Sequence, residues 1–219
     1  MARTRFADRR AAGRALGERL AGGVSGDAVV LGLPRGGVVV AAEVASVLEI
    51  PLDVLVVRKL GLPWQPELAM GAIAGVGDTV ETVRVESVLA AADVAPAAFE
   101  EVRQRELTEL RRRESAYRGG RPAIALGGRP VVVVDDGLAT GATMRAAVLA
   151  VRRQAPLSIT VAVPVGSPRA CGNLAADVDE VLCLLAPDSF RAVGQAYADF
   201  TATTDEEVRA ALHGVRGTV

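Results

Sequence analysis

The sequence predicts an α/β fold of three layers, helix–sheet–helix, with a mainly parallel central sheet and a small additional lobe. Three observations carry this expectation. Half of the 219 residues are hydrophobic but only 3% are aromatic. The core must therefore be built from Val, Leu, Ile and Ala, the residues of strands buried on both faces. Apolar runs such as AVVLGL (28–33) and VVVV (131–134) end in glycine-containing turns and do not alternate with polar residues. Finally, strand, Gly-rich turn, helix and strand follow one another over 28–57. That succession marks a βαβ unit with a right-handed crossover. The length suits one domain over 1–219, with a core at about 24–186 and an appended lobe.

The elements read as follows. Residues 8–21 form an amphipathic helix with Ala11, Leu16 and Leu20 near one face and Arg9, Arg14 and Glu18 elsewhere. The strand 28–33 ends in the turn PRGG; a small-residue helix (38–48) and a strand (53–57) follow. Segment 58–85 is turn-rich in its first half, with Gly61, Pro63, Pro66 and the only Trp. Its second half alternates weakly and carries Gly75 and Gly77, which predicts a short hairpin. Pro96 opens a helix to about Tyr117, on which Glu101–Arg105 and Glu109–Arg113 are i,i+4 pairs with the acid first. The triplet Arg111 to Arg113 is a solvated face of that helix. RGGRPAIALGGRP is a linker. Then come a buried strand (131–136), the turn GLATGAT, a helix (144–154) and strands at 158–166 and 180–185. The tail, 187–214, reads as two short helices. There is no internal repeat.

Composition excludes several function classes. A net charge of −1 does not suit a generic nucleic-acid or anionic-membrane binder, which relies on excess Lys and Arg. No apolar run reaches membrane-spanning length, and the N-terminal charges are followed by no apolar stretch, so no signal peptide is expected. Cys171 and Cys183 lack metal-ligand spacing and sit among apolar residues, as buried free thiols of a reducing compartment do. The expected location is the cytoplasm.

The chemistry is concentrated after the second valine run. Two acids, Asp135 and Asp136, appear where the strand leaves the core, and ligands of open α/β sheets bind outside the carboxyl ends of strands. Paired carboxylates there suit diol hydroxyls or hydrated Mg2+, because they accept hydrogen bonds from both. Ala139, Thr140, Gly141, Ala142 and Thr143 are small or hydroxylated and lead into a helix. Successive backbone N–H groups in such a turn, with the helix dipole behind them, bind a phosphate monoester. A diol beside a phosphate is a ribose 5-phosphate. The loop is not of the Walker A type, because Ala142 and Thr143 replace the Lys-Ser/Thr pair.

VVVVDDGLATGAT resembles the 5-phosphoribosyl-1-diphosphate (PRPP) motif of type I phosphoribosyltransferases. LPRGG (33–37) is similar to that family's diphosphate loop, and Arg58-Lys59, at the end of the second strand, to the start of its mobile catalytic loop. The resemblance covers roughly residues 28–166 and is strongest to a bacterial group sharing PRGG, VRK, ELAMGAIA and DDGxATGATM. It implies transfer of the 5-phosphoribosyl group from PRPP to a nitrogenous base or similar small nucleophile, with release of diphosphate. By position, Asp135 and Asp136 would hold the ribose hydroxyls and Ala139 to Thr143 the 5-phosphate. Arg35, Gly36 and Gly37 would hold diphosphate, entered through a non-proline cis peptide at Pro34–Arg35. Mg2+ would arrive with the diphosphate and meet Asp135 and Asp136 only indirectly, through ribose or water. Some purine enzymes of the family carry a third Asp where this chain has Ala139. Its absence counts against hypoxanthine or guanine, while alanine also occurs in adenine-type members, so the acceptor stays open.

Displacement at the anomeric carbon needs positioning and charge stabilisation, not a nucleophilic side chain. Lys59, the only lysine, is expected to reach the leaving diphosphate with Arg58 as second cation, and 60–68 to close as a lid. The lone His213 is incidental. In the family a hood lobe supplies an apolar slot for the base. Here the tail, and with it the N-terminal helix, would build it, with Phe190, Tyr197 and Phe200 as candidates for stacking. The competing reading is a non-catalytic regulator of the same fold that senses PRPP or nucleotides. A homodimer is left open.

Overall fold

The computed structural model describes residues 5–76 and 79–214. Gly77 and the outermost N-terminal residues considered above lie outside the described residues.

The central sheet has five strands, all parallel, in the order β2-β1-β6-β7-β8. These are β1 (Val29–Gly32), β2 (Leu52–Val54), β6 (Pro130–Val134), β7 (Ser158–Val165) and β8 (Glu180–Leu185). Because strand side chains alternate in direction, the valine runs feed two cores at once. Val30, Val132 and Val134 face a core shared with helix α2 (Gly36–Leu48), while Val29, Val131 and Val133 face α5 (Ala142–Arg152). Each buried valine contributes roughly 1.5 kcal/mol or more, and this two-sided burial is why the runs show no polar alternation. Helix α1 (Arg9–Leu20) packs on α2 with Ala12 and Leu16 fully buried. Leu16 and Leu20 are buried as expected, and Ala12 takes the place expected of Ala11, which is half-buried.

Strands β3 (Val57–Leu62), β4 (Gln65–Val76) and β5 (Thr79–Arg84) form a separate antiparallel sheet. It corrects the expected loop at 60–68, which is not a loop but the body of the β3–β4 hairpin, with Pro63-Trp64 at its turn. Gly61 and Pro66 look like chain breakers, yet they serve a bulge. The register shifts on both sides of Gly61, and a Cβ there would stand 2.8 Å from Pro66 Cα. Trp64 sits 62% exposed at the tip. The hairpin expected at the second half is present as β4–β5.

Helix α4 (Pro96–Arg118) covers one face of this small sheet, burying Phe99, Val102 and Leu110 against Leu60, Met70 and Ile73. Helix α5 covers the other, against Ala74 and Val76. A buried charge network that the sequence did not announce ties α4 to β2. The Arg118 guanidinium donates to Asp53 (2.9 Å), Glu114 (3.3 Å) and the Val54 carbonyl (3.1 Å). On the exposed side of α4 the Glu109–Arg113 pair forms at 2.7 Å, whereas Arg105 turns to Glu106 at 3.4 Å and not to Glu101.

Two short helices, α3 (Glu86–Ala91) and α6 (Pro168–Leu174), had no counterpart in the sequence reading. The tail was expected to hold two short helices. It contains one 3-10 turn (Val193–Ala196) and one α-helix, α7 (Asp205–Gly214). The tail returns to the start of the chain: Phe6 and Tyr197 form an isolated parallel bridge, and Phe6, Ala12, Val165, Ala196 and Tyr197 share a small core. No helix among the described residues is long and apolar enough to cross a membrane.

Candidate active site

Strands β1 and β6 are neighbours in register, Gly32 opposite Val134, and the Leu33 N–H continues the ladder to the Val134 carbonyl at 2.9 Å. Their carboxyl ends therefore open side by side. The crossover from β1 leaves toward β2 and that from β6 toward β7, which makes this the switch point of the sheet. The turn PRGG and the loop DDGLATGAT are thus brought together across about one hundred residues of sequence, as expected for a doubly wound sheet. The Pro34–Arg35 peptide is cis.

The two turns approach so closely that side chains are forbidden between them. A Cβ on Gly37 would stand 2.8 Å from Asp135 Cα and 3.0 Å from the Val134 carbonyl oxygen. One on Gly36 would stand 2.8 Å from the Asp136 carboxyl carbon and 2.6 Å from Arg9 Nε. At Gly37 the obstacles are backbone atoms, so glycine is required there by space, whereas at Gly36 a side chain would have to displace the Arg9–Asp136 pair. Arg35 extends from the same turn, half exposed, with a 4.0 Å contact to Asp205 at the start of α7.

Asp135 and Asp136 are half-buried side by side. Burial first, and then the charge of Asp136, pushes the Asp135 carboxyl well above the usual carboxylate range. Burial also raises Asp136, and the Arg9 guanidinium partly offsets that rise. Arg9 Nε donates to Asp136 Oδ2 at 2.8 Å, and the Tyr197 hydroxyl donates to the Asp136 carbonyl at 2.5 Å.

Beyond the acids, Ala139, Thr140, Ala142 and Thr143 are exposed and Gly141 adopts φ +79° as the N-cap of α5. A glycine cap has no side chain with which to satisfy the first N–H groups of the helix. The loop is held from behind: the Leu138 N–H meets the Val165 carbonyl (2.8 Å), the Ser167 N–H the Leu138 carbonyl (2.8 Å), and Ser167 Oγ the Ala139 carbonyl (2.9 Å). The carbonyls of Leu138 and Ala139 are thereby tied to Ser167, and the Ala142 N–H at the start of α5 lies 3.5 Å from Thr140 Oγ, a small-residue turn of the kind that suits an anion.

The structure separates the two cations of the Arg58-Lys59 pair. Arg58 faces α4 in a 2.6 Å ion pair with Glu106. Lys59, on the opposite face of β3, is half exposed and meets Glu67 across the hairpin, at 3.2 Å to the carboxylate and 3.3 Å to the carbonyl. Phe190 lines a cavity of about 450 Å³ at the ends of β7 and β8, together with Val165, Leu185, Pro187, Gln195 and Ala196. Tyr197 does not line it. Its ring is 3% exposed, stacked on Phe200 with centroids 5.0 Å apart, and its hydroxyl is committed to Asp136. Arg9 is the site residue that sequence reasoning missed. It lies 127 positions from Asp136, and nothing local marks it among the arginines of α1.

The family model described as the phosphoribosyl transferase domain matches residues 9–201. Sequences from two strains of Mycobacterium tuberculosis, both bearing a provisional phosphoribosyl transferase name, are 50% identical over 208 residues, 94% of this chain and 46% of theirs. The chain therefore spans about half the length of the curated relatives it matches. The crystal structure of TT1426 from Thermus thermophilus is similar with a TM-score of 0.84 and 48% identity, over 97% of this chain and 100% of that one.

Proposed function

On the premise that the chain belongs to the phosphoribosyl transferase family, we propose that it transfers the 5-phosphoribosyl group of PRPP to a nitrogen of a small base and releases diphosphate. The observation that carries this reading is the meeting of PRGG with DDGLATGAT at one sheet edge, acids in the middle and the glycine-capped N-terminus of α5 at the far end. A phosphorylated ribose bearing diphosphate has its charges and hydroxyls in that order.

In the proposed reaction the bond from the anomeric carbon to diphosphate oxygen breaks and a bond to the acceptor nitrogen forms, the nitrogen's proton leaving to solvent or diphosphate. The amides of the α5 N-terminus hold the 5-phosphate. Asp135 and Asp136 accept from the ribose hydroxyls, and bringing donors to carboxyls already destabilised by burial restores their charged form. Arg35 and the amides of Gly36 and Gly37 hold the diphosphate, and Lys59 offsets the charge that develops as it departs. Among the described residues no group of three or more His, Cys, Asp or Glu could hold a metal ion. Adjacent buried carboxylates nevertheless suit a cation held through water or ribose. Mg2+ bound there would neutralise the diphosphate.

The 450 Å³ cavity at the ends of β7 and β8 is our candidate for the acceptor slot. No charged side chain lines it, and Ser189 and Gln195 are its polar side chains, a lining that favours a flat, neutral heterocycle. The test is diphosphate release from PRPP and Mg2+ with a panel of neutral and anionic bases. Turnover with a neutral base supports the reading. Tight PRPP binding without turnover on any base would favour the sensing regulator, and absence of PRPP binding would remove both.

A further inference from the structure

We propose that Arg9 is the positioning residue for Asp136, linking the N-terminal helix and the returning tail to the ribose-binding acid. The inference rests on the phosphoribosyl transfer reading above. Arg9 is fixed on three sides: Nε donates to Asp136 Oδ2 (2.8 Å), one terminal nitrogen donates to the Thr201 carbonyl (2.8 Å), and the guanidinium carbon lies 3.9 Å from the centre of the Phe200 ring. Phe200 stacks on Tyr197, and Tyr197 donates to the Asp136 main chain. Arg9, Phe200, Tyr197 and Asp136 thus form a closed ring of contacts that holds the acid by its side chain and by its backbone. The side chains of Arg9 and Asp136 are only 11% and 18% exposed, so the pair is poorly screened by solvent.

This arrangement suits positioning better than ligand binding or simple anchorage. Arg9 takes only one carboxylate oxygen, Oδ2, so its contact leaves Oδ1 to accept a hydroxyl. Two acids side by side repel, and an immobile cation against one of them keeps the carboxylate in a single rotamer before substrate arrives. A group whose orientation is set in advance does not have to be ordered in the bound state. A lysine could not reproduce it, because one ammonium cannot serve Asp136 and the Thr201 carbonyl while stacking on Phe200. Gly36 completes the design, since a side chain there would occupy the space of the Arg9–Asp136 contact.

The test is calorimetric titration of the full chain with PRPP in the presence of Mg2+. Arg9→Met keeps the apolar stem over Phe200 and deletes the guanidinium. It is expected to weaken PRPP binding about tenfold or more, as loss of a charged, partly buried partner does, with kcat at saturating PRPP changed much less. On an Asp136→Asn background the same substitution should add almost nothing, because Arg9 acts through that carboxylate. Arg9→Lys should fall between wild type and Arg9→Met, and it supplies the comparison if Arg9→Met does not fold. Equal losses on both backgrounds, or a lower melting temperature with unchanged PRPP affinity, would overturn the proposal and make Arg9 a structural ion pair. Wild-type protein that binds no PRPP would overturn the transfer reading itself, and the role of Arg9 with it.

Discussion

Asp135 and Asp136 stand at the end of a strand of valines, and their environment is hostile to their charge. Asp135 has its carboxyl raised well above the ordinary range, by burial first and by its neighbour second. The direction fixes the effect on stability. A carboxyl whose folded pKa exceeds its unfolded one stabilises the fold while protonated, below about pH 4, and that contribution is lost as pH climbs through the raised value. Raising the pH through that range therefore removes stability. Asp135→Asn should raise the melting temperature of the ligand-free protein at neutral pH, by the equivalent of roughly 1 kcal/mol. The gain should vanish in acid, and PRPP affinity should be lost at any pH. A stability that falls at neutral pH on this substitution would show that the acid is internally compensated. Asp136→Asn is expected to reduce PRPP binding or turnover on the order of 100-fold, as removal of a preorganised electrostatic contact does, with the fold intact by circular dichroism. Unchanged affinity and turnover would remove Asp136 from the site. Both acids were legible in the sequence because strand, double acid and small-residue loop are contiguous there. Their partner Arg9 was not, because only the tertiary fold brings α1 over the loop.

At the scale of elements, contiguity again separates what could be read from what could not. The five parallel strands follow from apolar runs, α1 from its amphipathic periodicity, α2 and α5 from small-residue segments after glycine turns, and α4 from Pro96 at its first turn. The β3–β4 hairpin misleads because Gly61 and Pro66 belong to a bulge whose identity depends on pairing with the other strand. The lid expected at 60–68 is therefore part of a paired sheet, and Lys59 is carried on a strand. As a cation facing away from the Arg58–Glu106 pair, Lys59 should matter most when charge develops on the leaving group. Lys59→Ala is expected to lower kcat with a smaller effect on PRPP affinity. Loss of binding with turnover preserved at saturation would make it a binding residue instead. Within the same sheet, a Cβ on Gly75 would collide with the Glu114 carboxyl, its carbon 2.5 Å away, and Glu114 is bound to Arg118. Gly75→Ala should destabilise by about 2 kcal/mol or more in chemical denaturation, since overpacking and a broken buried ion pair combine. A neutral outcome would mean that α4 can shift without losing the network.

For the whole molecule, the chain ends and the sheet switch point are one mechanical unit. Phe6 pairs with Tyr197, Arg9 reaches Asp136 and Thr201, Val193 fills the space above Gly137, and Arg35 faces Asp205. None of these contacts is local, so nothing contiguous marks them beyond three tail aromatics. Hydrogen exchange tests the unit as a whole. Amides of Val131–Val134 and Thr160–Ala162 sit in ladders paired on both sides, and they should open only by global unfolding. The tail over 187–204, almost without regular structure, should exchange fastest. PRPP with Mg2+ at 100 times its Kd stabilises the folded state by about 2.7 kcal/mol, so the core amides should slow about 100-fold. Local protection is the more telling signal. If one ligand spans both turns, Gly36 and Gly37 and residues 139–143 must gain protection together. Because Arg9, Tyr197 and Phe200 clasp Asp136, the segment 193–201 must follow although the ribose and its phosphates need not touch it. Protection of 139–143 alone would mean a bare phosphate in the loop and no ligand at PRGG. Protection of both turns without the tail would leave the ribose site intact and uncouple it from the chain ends.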